Sequence, residues 1–167
     1  MSGNDVDPAR FRQLLGRFAT GVVVITARDR EGRLTGMTAN SLASVSLEPP
    51  LISICVEHQA EMFNVMSDTD DFAINILSSL QETVSRRFAG GGQEDRFGGV
   101  GYSVSPQGLV ILEGALAYIE CTKFAQYPLG DHSLFVARVT GGGTTEDPAH
   151  SRPLIYYRGG YAGLSPG

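Results

Sequence analysis

The sequence has no tryptophan and only two cysteines, Cys55 and Cys121. Both cysteines fall inside apolar runs that read as strands, where an isolated thiol behaves as a small core residue, so no disulfide framework or zinc site is expected. The three histidines, His58, His132 and His150, are far apart, and none belongs to a pair at metal-ligand spacing, so no metal is expected. Runs of Lys and Arg are also missing. With 13 Lys+Arg against 18 Asp+Glu and a formal net charge of -5, the chain lacks the basic footprint that a phosphate backbone demands, which excludes nucleic acid as a partner. No stretch is apolar over a spanning length, and the opening residues MSGNDVDPAR are acidic and polar. A membrane partner is therefore not expected, and a cytoplasmic location is.

Two familiar catalytic patterns are absent too. A dinucleotide-binding fingerprint needs a Gly-rich turn between a strand and a helix. Here Gly98-Gly99-Val100-Gly101 leads into the strand-like Tyr102-Ser103-Val104 and reads as loop. Asp131-His132-Ser133 has the members of a hydrolase triad, but adjacent residues on extended backbone point to alternate faces and cannot align as acid, base and nucleophile.

What is present suits a globular protein: 167 residues, 42% hydrophobic and 19% charged, enough for a single domain over 1–167 with a core over about 10–162. Glycine, at 21 copies, is about twice its usual share and predicts many turns. Asp7-Pro8 starts a helix whose Phe11, Leu14, Leu15 and Phe18 share one face. Strands are predicted at Val22–Thr26 and Leu34–Thr38, joined by a turn at Asp29–Gly32, and further strands at Leu51–Val56 and Phe72–Leu77. Glu61–Ser67 and Leu80–Phe88 read as short helices, with a Gly-rich loop at 90–92 and a charged stretch at 93–96. The remaining strands fall at Leu109–Leu112, Ala115–Phe124, Ser133–Thr140 and Leu154–Tyr157. Without strict βαβ alternation, a mainly antiparallel barrel flanked by short helices fits best.

Gly36-Met37-Thr38-Ala39-Asn40-Ser41, continuing through Ser44-Val45-Ser46 to Pro49-Pro50-Leu51, places hydroxyls, an amide and small residues where a strand ends. Such a segment lets backbone N–H groups and short side chains approach a flat polar ligand, and it equally suits a Ser-rich turn that caps its own backbone. Together with Phe18-Ala19-Thr20-Gly21-Val22, Phe72-Ala73-Ile74-Asn75-Ile76-Leu77, Asp95-Arg96-Phe97, Gly130-Asp131-His132 and Pro153-Leu154-Ile155-Tyr156-Tyr157, it resembles the flavin reductase domain of two-component flavin-dependent monooxygenases. The resemblance runs from residue 11 to residue 161.

It implies an FMN-binding split barrel, a six-stranded antiparallel Greek-key barrel that forms a homodimer. The implied activity is that of an NAD(P)H:flavin oxidoreductase, using NADH or NADPH to reduce FMN or FAD and supplying reduced flavin to a separate monooxygenase. By the same resemblance Thr38, Ala39, Asn40 and Ser41 would line the flavin ring and ribityl chain, with Ser46, Gln59, Arg87, Phe88 and Ala89 towards the phosphate. His132 would act at the nicotinamide site as the catalytic-site residue, with Tyr161 closing the same side. Relatives carry a Ser and a Thr at the phosphate end, where this chain has Gln59, Ala60, Glu61 and Met62, and Glu61 would oppose a phosphate. An electron-transfer flavoprotein or a non-catalytic FMN-binding module on the same barrel is the alternative, and fold alone does not separate the two.

Overall fold

The computed structural model describes residues 5–90, 95–148 and 151–164. His150 and most of the stretch expected at 90–96 lie outside the described residues. The first helix, α1 (Pro8–Leu15), starts where expected, with the Asp7 carboxylate accepting from the Arg10 amide at 3.0 Å and Pro8 in the first turn. The helix ends at Leu15, so Phe18, expected on its face, falls in the bend beyond it; Phe11, Leu14, Leu15 and Phe18 are all exposed among the described residues.

The strands that follow are β1 (Thr20–Gly21), β2 (Val23–Arg28), β3 (Leu34–Ala39), β4 (Ala43–Leu47) and β5 (Pro50–Glu57). Helix α2 (Glu61–Asp68) leads to β6 (Asp71–Ile76), and a 3-10 turn (Ser79–Gln81) leads into α3 (Glu82–Ala89). The chain ends through β7 (Tyr102–Val104), β8 (Val110–Leu112), β9 (Ala117–Leu129), β10 (His132–Thr144), β11 (Ile155–Tyr157) and β12 (Gly160–Ala162). Among the described residues, no helix is long and apolar enough to cross a membrane.

The principal sheet has the order β3-β2-β6-β9-β10-β5-β4, with every neighbouring pair antiparallel. Six of these strands coincide with those read from the sequence. The seventh, β4, occupies the hydroxyl-rich segment, which carries no hydrophobic alternation because an exposed edge strand needs none. The two edges, β3 and β4, are consecutive in the chain and separated only by residues 40–42, so the sheet must curl until they meet at that end. This makes the barrel split.

Alternation explains the interior. In β5, Ile52, Ile54 and Val56 point inward while Leu51, Ser53 and Cys55 point out. Met62, Val65 and Met66 of α2 pack against these residues and against Ile25, Phe72, Ile74 and Phe135, so α2 plugs the barrel. Lys123 fixes the plug: its Nζ donates to the carbonyls of Met66 and Ser67 at 2.9 Å and of Thr69 at 3.2 Å, a cation at the helix C-terminus. β2 and β6 are buried on both faces because a second cluster, including Val24, Leu77, Phe88, Leu112 and Leu154, covers their outer side.

Candidate functional site

Helix α3 lies close against β3 at Gly36. A Cβ there would meet the Phe88 ring at 2.5 Å, so only glycine admits this approach. Two residues along β3, the Thr38 hydroxyl donates to the Ser85 carbonyl at 2.6 Å. The buried Ser85 hydroxyl in turn is hydrogen-bonded to the Tyr161 hydroxyl at 2.7 Å. The Tyr161 ring is held from two other directions. The Arg86 guanidinium lies over it, 4.7 Å from the centroid, and Tyr156 meets it edge-on at 5.5 Å. Strand, helix and C-terminal hairpin are thereby joined by short polar contacts, a cation over a ring and an edge-on ring pair.

The joint borders an open cavity of about 220 Å³ lined by Val22, Thr38, Ala39, Asn40, Ala89, Tyr156 and Tyr161. A second cavity of about 370 Å³, lined by Arg86, Gly90, Gly159 and Gly160, shares Ala89, Tyr156 and Tyr161 with it. Thr20, paired across β1–β11 with Tyr156, has a buried hydroxyl with no hydrogen-bond partner. An apolar-walled cleft with a few converging polar groups is the usual form of a small-molecule site.

Of the residues expected at a site, the structure brings together Thr38, Ala39, Asn40, Ala89 and Tyr161 at these cavities. The others are placed differently. The Ser41 hydroxyl is engaged with the Cys55 backbone, and Ser46 lies on the edge strand opposite Leu51. Gln59 is exposed in the turn between β5 and α2. Arg87 turns away and donates from Nη1 to the Gly98 carbonyl, and Phe88 is buried against Phe97 in the outer core. Sequence reasoning missed Ser85 and Arg86. The available signal was helical spacing, since they lie four and three residues before Ala89 and share its side of α3.

His132 stands at the first position of β10, opposite Glu57, and lines neither cavity. Its Nδ1 is 2.6 Å from Asp131 Oδ1. That hydrogen bond, followed by the imidazole's charge, holds the Asp131 carboxyl below its ordinary value. Ser133 points the other way. Its buried hydroxyl bonds His58 Nε2 at 3.1 Å, as strand alternation requires, so Asp131, His132 and Ser133 form no triad. Cys55, whose backbone Ser41 grips, pairs with Leu134, two positions along β10 from His132. His132 therefore borders the same end of the sheet as Ser41, about 7 Å along the strand.

The family described as the flavin reductase like domain matches residues 15–165. A reductase subunit of a flavin-dependent monooxygenase from Rhodococcus jostii is 37% identical over 96% of this chain and 80% of its own. An NADH-dependent flavin reductase from a Rhodococcus species is 40% identical, covering 96% and 88%. The solved structure of an NADH:FAD oxidoreductase from Streptomyces globisporus, in complex with NAD and FAD fragments, superposes with a TM-score of 0.88 at 33% identity, covering 98% of both chains. The family match over residues 15–165 and the similarity over nearly the whole chain agree: this protein belongs to the flavin reductase family.

Proposed function

We propose that this protein transfers a hydride from NADH to FMN or FAD and supplies the reduced flavin to a separate monooxygenase. The observation that carries this reading is the cavity at the end of β3, where Thr38, Ala39 and Asn40 face the Tyr161 ring. The donor set fits a flavin: a strand end offering backbone amides and the Asn40 side chain, an aromatic wall, and a cation beyond it in Arg86. When bound, the flavin supplies the hydride-accepting ring, so the chain needs no nucleophile of its own.

The protein's part is orientation and electrostatics. Backbone N–H groups within 38–41 are the proposed donors to charge on the ring, and the Ser85–Tyr161 bond holds the wall in place. His132, with Nδ1 committed to Asp131, offers Nε2 as a hydrogen-bonding group for the dinucleotide. Asp131 and Glu57 beside it oppose a 2'-phosphate, which favours NADH over NADPH. A homodimer is supported by uncovered apolar side chains on the outer sheet, Val45, Leu47, Phe124, Tyr127 and Leu129, and by the bare face of α1.

Steady-state NADH oxidation with FMN, with FAD and without added flavin tests the reading. Turnover that saturates in flavin, with His132→Ala raising KM for NADH about tenfold, is expected. Tight flavin binding without NADH turnover would replace it with an electron-transfer role.

A further inference from the structure

Resting on the reading of His132 above, we propose that His58 is a positioning residue for that histidine, clamping the β9–β10 turn so that the His132 ring is presented in one direction.

The turn consists of Gly130 and Asp131 between two strands of 13 residues each, with φ at Gly130 of +64°. So short a turn has little to hold it but its flanks, and His132 follows it directly. His58 grips the residues on both sides of His132. Its N–H donates to the Asp131 carbonyl at 3.0 Å, and its Nε2 is hydrogen-bonded to the Ser133 hydroxyl at 3.1 Å. Ser133 is buried, so a pin on its side chain fixes the rotation of β10 at that point, and the neighbouring His132 must leave from the opposite face.

His58 is itself held in place. Its ring meets Phe63 of α2 at 4.9 Å, edge-on, and Phe63 packs on the inner core and meets Phe135 of β10 at 6.3 Å. The plug helix thus backs the imidazole. His58 lines neither cavity of the candidate site, so its effect must pass through the turn. The turn carries an electrical trace of this arrangement: the Asp131 carboxyl is held down first by the His132 hydrogen bond and charge, and also by the charge of His58.

The test is steady-state NADH oxidation by the full chain, with NMR titration of Asp131. His58→Ala is expected to raise KM for NADH about threefold and to leave KM for flavin unchanged. His58→Gln, whose amide can reach the Ser133 hydroxyl, should restore the parent value. In a His132→Ala background, His58→Ala should add nothing further, because a positioning residue acts only through the group it positions. A merely structural role would raise both KM values, or raise KM for NADH again in that background, and either result overturns the proposal. Ser133→Ala removes the clamp without removing a charge, and the Asp131 midpoint should rise in it as the pair with His132 loosens. An unmoved midpoint there, or an unchanged KM for NADH in His58→Ala beside a raised one in His132→Ala, also overturns the proposal and leaves the reading of His132 standing. If His132→Ala itself leaves KM for NADH unchanged, the reading of His132 falls, and the Asp131 midpoint in Ser133→Ala still decides whether His58 orients the turn.

Discussion

The Ser41 hydroxyl sits between the two backbone polar groups of Cys55, accepting from its amide at 3.0 Å and donating to its carbonyl at 3.2 Å. The β4–β5 register stops at Ala43 opposite Ser53, so the side chain of Ser41 takes over where the backbone ladder ends. The barrel is stitched there by one residue, next to the segment that forms the candidate site.

Ser41→Ala leaves both Cys55 groups without that partner and is expected to cost about 1–3 kcal/mol. Ser41→Thr keeps the hydroxyl and should recover most of the loss. Urea denaturation of the three proteins measures the difference. Equal stability of the Ala variant and the parent would remove Ser41 from the closure.

Asn75 is a second knot. Its buried side chain donates to the Val24 carbonyl at 3.2 Å and to the Thr26 hydroxyl at 3.1 Å, and accepts from the Leu112 amide at 2.8 Å, tying β6 and β2 to β8. Asn75→Leu preserves the approximate volume but orphans the Leu112 amide, with an expected cost of about 2–4 kcal/mol. Hydrogen exchange should show the Leu112 amide losing protection before the barrel strands do.

Asp131 carries a pH signature. Its carboxyl is held below the ordinary value, chiefly by the His132 hydrogen bond. A depressed folded pKa contributes stability above the unfolded value, and that contribution is lost as pH falls through the folded one. NMR titration of Asp131 should therefore show its midpoint moving up to the ordinary carboxylate range in His132→Ala. An unmoved midpoint would show that the pair does not persist in solution.

The two thiols should be poorly reactive in the folded protein. Burial, helped by the Glu120 charge, pushes Cys121 up to about 12, and burial also raises Cys55. For Cys121 the sign is opposite to that of Asp131: the contribution is full below the ordinary thiol value of 9.0 and is lost as pH rises from there towards 12. A chromogenic disulfide reagent at neutral pH should label Cys121 only after denaturation, and Cys55 more slowly than a free thiol.

Much of the frame was legible from the residues themselves. The run Val22–Thr26, the alternation of Ile52, Ile54 and Val56, and the Asp7-Pro8 helix start all mark elements whose cause is local. β4 was not legible, because an exposed edge is paired by hydrogen bonds that any small polar sequence can make. Phe11, Leu14 and Leu15 were read correctly as a helix face, whereas Phe18 falls in the bend after α1; all stay exposed, Phe18 at 73%, since periodicity states which residues share a face and not what covers it.

The candidate site divides in the same way. Thr38, Ala39, Asn40 and Tyr161 were named from the sequence and meet at one cavity, whereas Arg86 and Ser85 were overlooked beside Arg87 and Phe88. One step along a helix turns a side chain by about 100°, which is enough to send Arg87 to the Gly98 carbonyl and Arg86 to Tyr161.

By itself the sequence determined that this chain forms an antiparallel barrel with short helices, because strand alternation and helix starts are written over neighbouring residues. The tertiary structure alone decided which groups face the cavities. The bonds that do so join Thr38 to Ser85 and Ser85 to Tyr161 across 47 and 76 positions, and no local pattern encodes contacts over such separations.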